Sequence, residues 1–246
     1  MGGKLVDELG IQSYCFRGFS EPGQLVSGLR ECGVDRLELC GKHWDIAKNP
    51  DPAAVLRAYE SAGIAISSFG VHGIGADEAA ARPAFEMARL AGFPTVSADL
   101  KEGGLSVAEK LCEEFGKKIA IHNHGRRHRY GPAWALQELF SHASANVGLC
   151  LDTAWALDSG DDPLAVAKRF CDRLYGLHVK DFVFDKAGKP EDVVVGEGNL
   201  DLPGMAKFLE EVGFDGYLTL EYEGDVDNPV PALKKCCDRI REAFSA

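Results

Sequence analysis

The chain has 246 residues, 46% hydrophobic and 26% charged, with 38 acids against 27 bases for a net charge of −11. Such a composition fits an ordinary globular protein and argues against a nucleic-acid binder, because an acidic surface repels polyanions unless a local basic stripe overrides it. No stretch reaches the roughly 18 consecutive apolar residues of a membrane-spanning helix, so a membrane partner is not expected either.

The N-terminal run Met1-Gly2-Gly3-Lys4-Leu5-Val6-Asp7-Glu8 lacks the apolar centre of a secretory signal. The eight cysteines show no CxxC spacing, and several, such as Cys150 in Val147-Gly148-Leu149-Cys150-Leu151, lie in apolar runs. They read as small core hydrophobes in a reducing, cytoplasmic setting. Along the chain, helix-like segments end in Gly and pass into β-rich runs, at Gly33, Gly63, Gly92, Gly116 and Gly213. Glycine tolerates the left-handed conformation that closes a helix. The repeat predicts βα units with strands at Gly10–Phe16, Asp35–Cys40, Ile64–Phe69, Thr95–Ala98, Lys118–Asn123, Val147–Leu151, Leu174–Val179 and Tyr217–Tyr222. Helices fall between them. Ser20 and Asp51 read as N-caps before Pro22 and Pro52, and Ala76–Ala91 carries apolar residues at helical spacing.

Eight alternating units in a chain of this length predict an α/β (β/α)8 TIM barrel, a single domain over residues 1–246. An open doubly wound sheet is the alternative, but the first loop, Cys15-Phe16-Arg17-Gly18-Phe19-Ser20, lacks GxGxxG and no GxxxxGK[ST] occurs. The longest irregular stretch, Asp181–Pro203, follows the seventh predicted strand, where barrels place active-face loops.

In a barrel the chemistry sits at strand C-termini. The last four predicted strands deliver His122 and His124, Asp152, His178 with Lys180, and Glu221 directly after apolar runs. A lone His there is usually structural and a lone Asp usually a cap (Asp152 could cap the turn at Thr153), but four in succession on one face point to a shared metal or acid/base site. Alternation puts His122 and His124 on one face, with Asn123 on the other. A mixed imidazole–carboxylate set suits Mn2+, Co2+, Zn2+ or Fe2+, with Mg2+ also admitted. Glu38 ends the second strand and could meet a substrate hydroxyl, serve as a base, or pair with Arg36 or Lys42. His72, Trp155 and Glu197 (within Gly196-Glu197-Gly198) are further substrate-binding candidates. Lys180, two residues past His178, could hold an enolate or phosphate oxygen, or simply be salt-bridged. The basic run Arg126, Arg127, His128 and Arg129 meets either solvent or an anionic group.

These motifs, with Gln12-Ser13-Tyr14, Leu37-Glu38-Leu39, Leu151-Asp152-Thr153, Asp201-Leu202-Pro203 and Asp215-Gly216-Tyr217, span nearly the whole chain. Together they resemble the xylose isomerase-like TIM-barrel superfamily of sugar phosphate isomerases and epimerases. The resemblance implies one divalent metal held by a Glu, an Asp, a His and a second Glu. Carried over, these are Asp152, His178 and Glu221, with His122 standing where the first Glu would be. Many relatives also have a His where Trp155 stands here. The resemblance implies an isomerase or epimerase of a sugar, keto-sugar or sugar phosphate, working by proton transfer beside a carbonyl through an enediolate; Glu221, or an unliganded histidine such as His124, is the expected base. His122 in place of Glu motivates the alternative, a lyase or dehydratase of an inosose or keto-sugar. An endonuclease-IV-like phosphodiesterase and a non-catalytic sugar-binding barrel remain beyond that. The expected partner is a small sugar, with a homo-oligomer allowed.

Overall fold

A computed structural model describes residues 2–245. Its centre is a nine-stranded, wholly parallel sheet. The strands are β1 (Gly10–Gln12), β2 (Arg36–Leu39), β3 (Ala65–Phe69), β4 (His72–Ile74), β5 (Thr95–Leu100), β6 (Lys118–His122), β7 (Val147–Asp152), β8 (Leu174–Val179) and β11 (Tyr217–Leu220). They lie in the order β3-β2-β1-β11-β8-β7-β6-β5-β4. Between β8 and β11 a separate antiparallel hairpin, β9 (Asp181–Phe184) and β10 (Pro190–Val193), stands beside the sheet. Among the described residues, ten helices connect and cover these strands: α1 (Gly2–Asp7), α2 (Pro22–Glu31), α3 (Pro52–Glu60), α4 (Glu78–Ala91), α5 (Gly104–Phe115), α6 (Ala133–His142), α7 (Thr153–Asp158), α8 (Pro163–Arg169), α9 (Leu202–Glu211) and α10 (Val230–Ala243).

Every residue of β5 and β7 is buried, as expected for parallel strands covered on both faces. The sheet curls. Its two ends, β3 and β4, are consecutive in the chain, and Ser68 Oγ at the end of β3 donates to Thr95 O of β5 at 3.1 Å. Gly70 carries the chain between them. A Cβ there would meet Ser97 O and Cβ at 2.4 Å, so the close crossing over β5 requires glycine.

The five helix-closing glycines all have positive φ: 66° at Gly33, 76° at Gly63, 81° at Gly92, 61° at Gly116 and 63° at Gly213. Asp51 caps α3 by accepting from Ala53 N at 2.9 Å, and Asp77 caps α4 through Ala79 N at 3.0 Å. Four expectations need correction. The sheet has nine strands and not eight, because the chain past Gly70 pairs with β5 as the short strand β4. The first strand stops at Gln12, and Ser13–Phe16 is a 3-10 turn, because Gln12 Oε1 accepts from Tyr14 N and Ser13 Oγ accepts from Cys40 N. Glu21, not Ser20, is the N-cap of α2, with Gln24 Oε1 accepting from Glu21 N at 3.2 Å. The expected irregular stretch Asp181–Pro203 contains the β9–β10 hairpin.

Candidate active site

The sheet register sets the depth of each functional residue. His122 pairs with Cys150, Asp152 with His178, and His178 with Thr219, while Glu221 N donates to Val179 O just past the end of β11. Four side chains from β6, β7, β8 and the β11 end therefore reach one level. Their ligand atoms all lie within 4.8 Å of one another, and all four residues are buried. Asn123 locks two of the strand ends together: its amide donates to Asp152 O at 2.9 Å, and its carbonyl accepts from Asp152 N at 2.8 Å. Thr153 Oγ does the same for β7 and β8, accepting from Lys180 N at 2.9 Å.

His122 Nε2 sits 3.0 Å from His178 Nδ1, and 3.5 Å from both Asp152 Oδ2 and Glu221 Oε2. His178 is held at both nitrogens, with Nε2 2.7 Å from Glu38 Oε2 and Nδ1 2.6 Å from Glu221 Oε2. If Nε2–H donates to Glu38, Nδ1 presents a lone pair to a carboxylate oxygen and to the second imidazole. Lone pairs facing each other at that range need a proton or a cation between them. Asp152 Oδ1 caps α7 by accepting from Trp155 N at 2.8 Å, while Oδ2 is buried with no hydrogen-bond partner. Two nitrogens and two carboxylate oxygens thus converge, one oxygen orphaned. That donor set fits a borderline divalent ion.

The titration behaviour follows the same geometry. Burial opposes a charge on His122, but the Asp152 and Glu221 carboxylates outweigh it and raise its pKa to about 9. Burial likewise opposes a charge on His178, and Cys150, Glu38 and Glu221 hold its pKa well above the ordinary value. Burial alone would raise the pKa of Glu221, yet Lys180 and the two histidines hold it well below the usual carboxylate range. A cation held among these residues would supply the positive charge that balances the two carboxylates.

His124 lies with its ring 4.4 Å from that of His122. Burial, and then the neighbouring His122, lowers its pKa to about 2, which favours the neutral ring. Lys180 is fully buried, bonded to Glu223, 3.8 Å from Asp192 and 4.0 Å from Glu221 Oε1. Burial opposes its charge, and Glu221, Asp152, Glu223 and Asp192 together raise its pKa far enough to keep it a permanent cation. Its Nζ lies 5.4 Å from the Trp155 ring centroid. A cavity of about 460 Å³ opens over the cluster, lined by His122, His124, Trp155, Glu221 and, from the opposite side, Gln12, Tyr14 and Lys42.

Of the residues singled out in sequence, His122, Asp152, His178 and Glu221 form the cluster, and His124, Lys180 and Trp155 surround it. Glu38 stands behind His178, not in the cavity, and Arg36 pairs instead with Glu8. His72 packs on Phe69, ring centroids 5.5 Å apart, outside the cavity lining. Glu197 is half-exposed and pairs with Arg239 at 3.8 Å, away from the cluster. Its flanking glycines serve Asp181: Gly196 N and Gly198 N both donate to Asp181 Oδ2. The sequence reading missed Glu223 and Asp192, the partners of Lys180, and the cavity wall formed by Gln12, Tyr14 and Lys42. Glu223 carried a signal, since it lies two residues past Glu221 on the same face; Asp192 carried none.

A family model described as xylose isomerase-like TIM barrel matches residues 102–243. The chain belongs to that family. Among curated relatives, the rhizopine catabolism protein MocC of Rhizobium meliloti is 29% identical over 143 residues, covering 51% of this chain and 42% of that protein. An inosose dehydratase of Clostridium beijerinckii is 27% identical over 156 residues, covering 56% of this chain and 52% of that protein. The chain thus spans about half the length of the curated relatives it matches. Among solved structures, the probable 3-DHS dehydratase AsbF of Bacillus anthracis superposes with a TM-score of 0.74 at 14% identity, covering 97% of this chain and 99% of that one. At that identity the likeness concerns the fold. Among the described residues, no helix is long and apolar enough to cross a membrane.

Proposed function

We propose that the chain is a single-domain (β/α)8 barrel and a divalent-metal-dependent enzyme that takes the proton beside the carbonyl of a sugar-like or polyol ketone, with loss of water as the outcome. The observation that carries the reading is the buried convergence of His122, Asp152, His178 and Glu221 with an orphaned Asp152 oxygen. Those four residues would hold the ion. When bound, it would supply Lewis acidity to a carbonyl oxygen in a water-poor cavity.

The chain's own groups account for the rest. Glu38 fixes the ring of His178 by accepting from Nε2 and so fixes which nitrogen faces the cluster. Lys180, buried outside the cavity lining beside Glu221 and Glu223, is a positioning residue that keeps Glu221 charged and adds positive potential behind the cavity wall. His124, neutral and at the cavity wall, accepts the proton beside the carbonyl. The same ring can return that proton to the departing hydroxyl, which leaves as water. Trp155 offers an apolar face to the sugar ring.

The isomerase or epimerase expected from sequence shares the first step and differs in where the proton is returned. Two features tip the reading toward elimination: His122 stands where a second proton-passing glutamate would be, and a curated relative is an inosose dehydratase. Elemental mass spectrometry of protein soaked with Mn2+, Co2+ or Zn2+ should give one ion per chain in the parent and none in an Asp152→Ala, Glu221→Ala double variant. Incubation of the loaded parent with an inosose in heavy water should then show loss of water. Deuterium uptake without elimination would return the reading to an isomerase or epimerase, and no bound ion would end the metal mechanism.

A further inference from the structure

Next to the metal-side cavity, and sharing His124 and Trp155 with it, lies a second opening of about 610 Å³. It is bounded by the segment after β6 and by the β9–β10 turn, which Arg126 Nη2 ties together by donating to Gly188 O at 2.6 Å. Its lining includes Arg126, Arg127, His128 and Lys189 but a single carboxylate, Asp158. That carboxylate is already used on both oxygens. Oδ1 accepts from Arg126 Nη2 and Oδ2 from Arg126 N, each at 2.9 Å. Among the described residues, Arg127 and Lys189 form no ion pair. A chain of net charge −11 has here placed Arg127 and Lys189 at a concave opening, with Asp185, which accepts from Lys189 N at 2.9 Å, a neighbouring acid outside its lining. A merely solvated loop would not need the hairpin turn drawn over it, nor the continuity with the cluster through Trp155.

We infer that this opening binds an anionic substituent, carboxylate or phosphate, on the far end of the same substrate whose carbonyl lies at the metal cluster. This rests on the function proposed above. Among the sugar-like ketones proposed above, those that carry such an anion then bind most tightly, and a neutral one such as an inosose binds more weakly. Arg127 offers a planar fork suited to either anion, and Lys189 adds a point charge. Trp155, common to both openings, packs along the carbon chain between the two ends. Attraction at a remote charged group is also the kind of binding that can be used to orient the reacting carbon.

D-fructose, D-fructuronate and D-fructose 6-phosphate differ at one carbon, which is a hydroxymethyl, a carboxylate or a phosphate ester. Calorimetric titration of Mn2+-loaded parent is expected to show one of the two anions binding at least about ten-fold more tightly than fructose, as loss of a charged hydrogen bond would imply. The tighter of the two names the anion. Inorganic phosphate should bind the metal-free parent as well, and an Arg127→Ala, Lys189→Ala double variant should lose both effects while taking up Mn2+ as the parent does. Equal binding of the three sugars, absence of phosphate binding, or a preference that survives in the double variant would each overturn the inference. A failure of the parent to bind Mn2+ strikes the metal reading alone, because the phosphate titration without metal still decides the cationic opening.

Discussion

Asp152 and Asp181 are both fully buried acids at the C-terminal edge of the sheet, one closing β7 and the other opening β9. Asp181 has four backbone donors: Asn199 N at 2.8 Å and Leu200 N at 3.0 Å on Oδ1, and Gly196 N at 3.0 Å and Gly198 N at 2.9 Å on Oδ2. The loop between β10 and α9 is folded around it so closely that a Cβ on Gly198 would meet Asp181 Oδ1 at 2.4 Å. Asp152 has one donor on Oδ1 and none on Oδ2, which points at His122 instead. A satisfied buried carboxylate stabilises the fold. A half-satisfied one costs stability, and in this setting it is the one aimed at a ligand.

The comparison is sharpest under an isosteric change. Asp152→Asn should lower affinity for the divalent ion by at least about 100-fold, since even outer partners of metal ligands cost 10- to 100-fold. Metal-free stability should fall little, because the Asn carbonyl still caps Trp155 N and His122 can give up the proton that the carboxylate helped to hold. Calorimetric Mn2+ titration and urea melts read the two effects separately. A large loss of apo stability would mean that Asp152 is structural. Asp181→Asn should do the reverse. Its amide nitrogen would face two backbone N–H groups, leaving them without an acceptor at a cost of about 3 kcal/mol, or roughly 10 °C in Tm for a chain of this size. A thermal melt unchanged by that substitution would break the contrast.

Much of this was legible from sequence because it lies at the ends of regular units. Apolar runs followed by His, Asp or Glu put His122, Asp152, His178 and Glu221 at one level, since parallel strands of similar length end together. The helix-closing glycines fixed where each strand could begin. The illegible parts depend on contacts between distant segments. Glu38 meets His178 across 140 residues, so a strand-end carboxylate expected near substrate or Arg36 turned out to orient a histidine. The pattern Gly196-Glu197-Gly198 drew attention to its acid, but the backbone N–H groups of the glycines were what mattered, and Asp181 was the acid they served. The β9–β10 hairpin escaped notice because Asp185, Gly188 and Pro190 read as turn residues, and only its tertiary position makes it the rim of an opening.

Asp192 lies between the two cases. Its Oδ1 accepts from Glu223 N at 3.0 Å and lies 3.8 Å from Lys180 Nζ. Burial nevertheless raises its pKa to about 6, because Lys180 only partly compensates and Glu223 and Asp152 repel the charge. A folded-state pKa above the unfolded value means that the stability contribution is complete below about pH 4 and lost as pH rises through about 6. Asp192→Asn should therefore match the parent near pH 4 and exceed it above pH 6 by about 2 kcal/mol. Urea melts across that range give the slope. A gap that widened toward low pH would reverse the sign and show that Lys180 dominates.

Glu197 gives the smallest expected effect and the cleanest control. It has the glycine-flanked setting that suggested a ligand contact, but its side chain is 52% exposed and its partner, Arg239, is equally exposed. Exposed ion pairs contribute little because water screens the attraction and two long side chains must be ordered to make it. Glu197→Gln leaves Gly196 N and Gly198 N in place for Asp181, so the loop keeps its shape. The expected change is under about 0.5 kcal/mol in stability and none in Mn2+ affinity. A loss of metal binding or turnover in this variant would show that the loop around Asp181 swings its acid toward the cluster when substrate binds, and the division between satisfied scaffold and unsatisfied site would then fail at the residue where it looks safest.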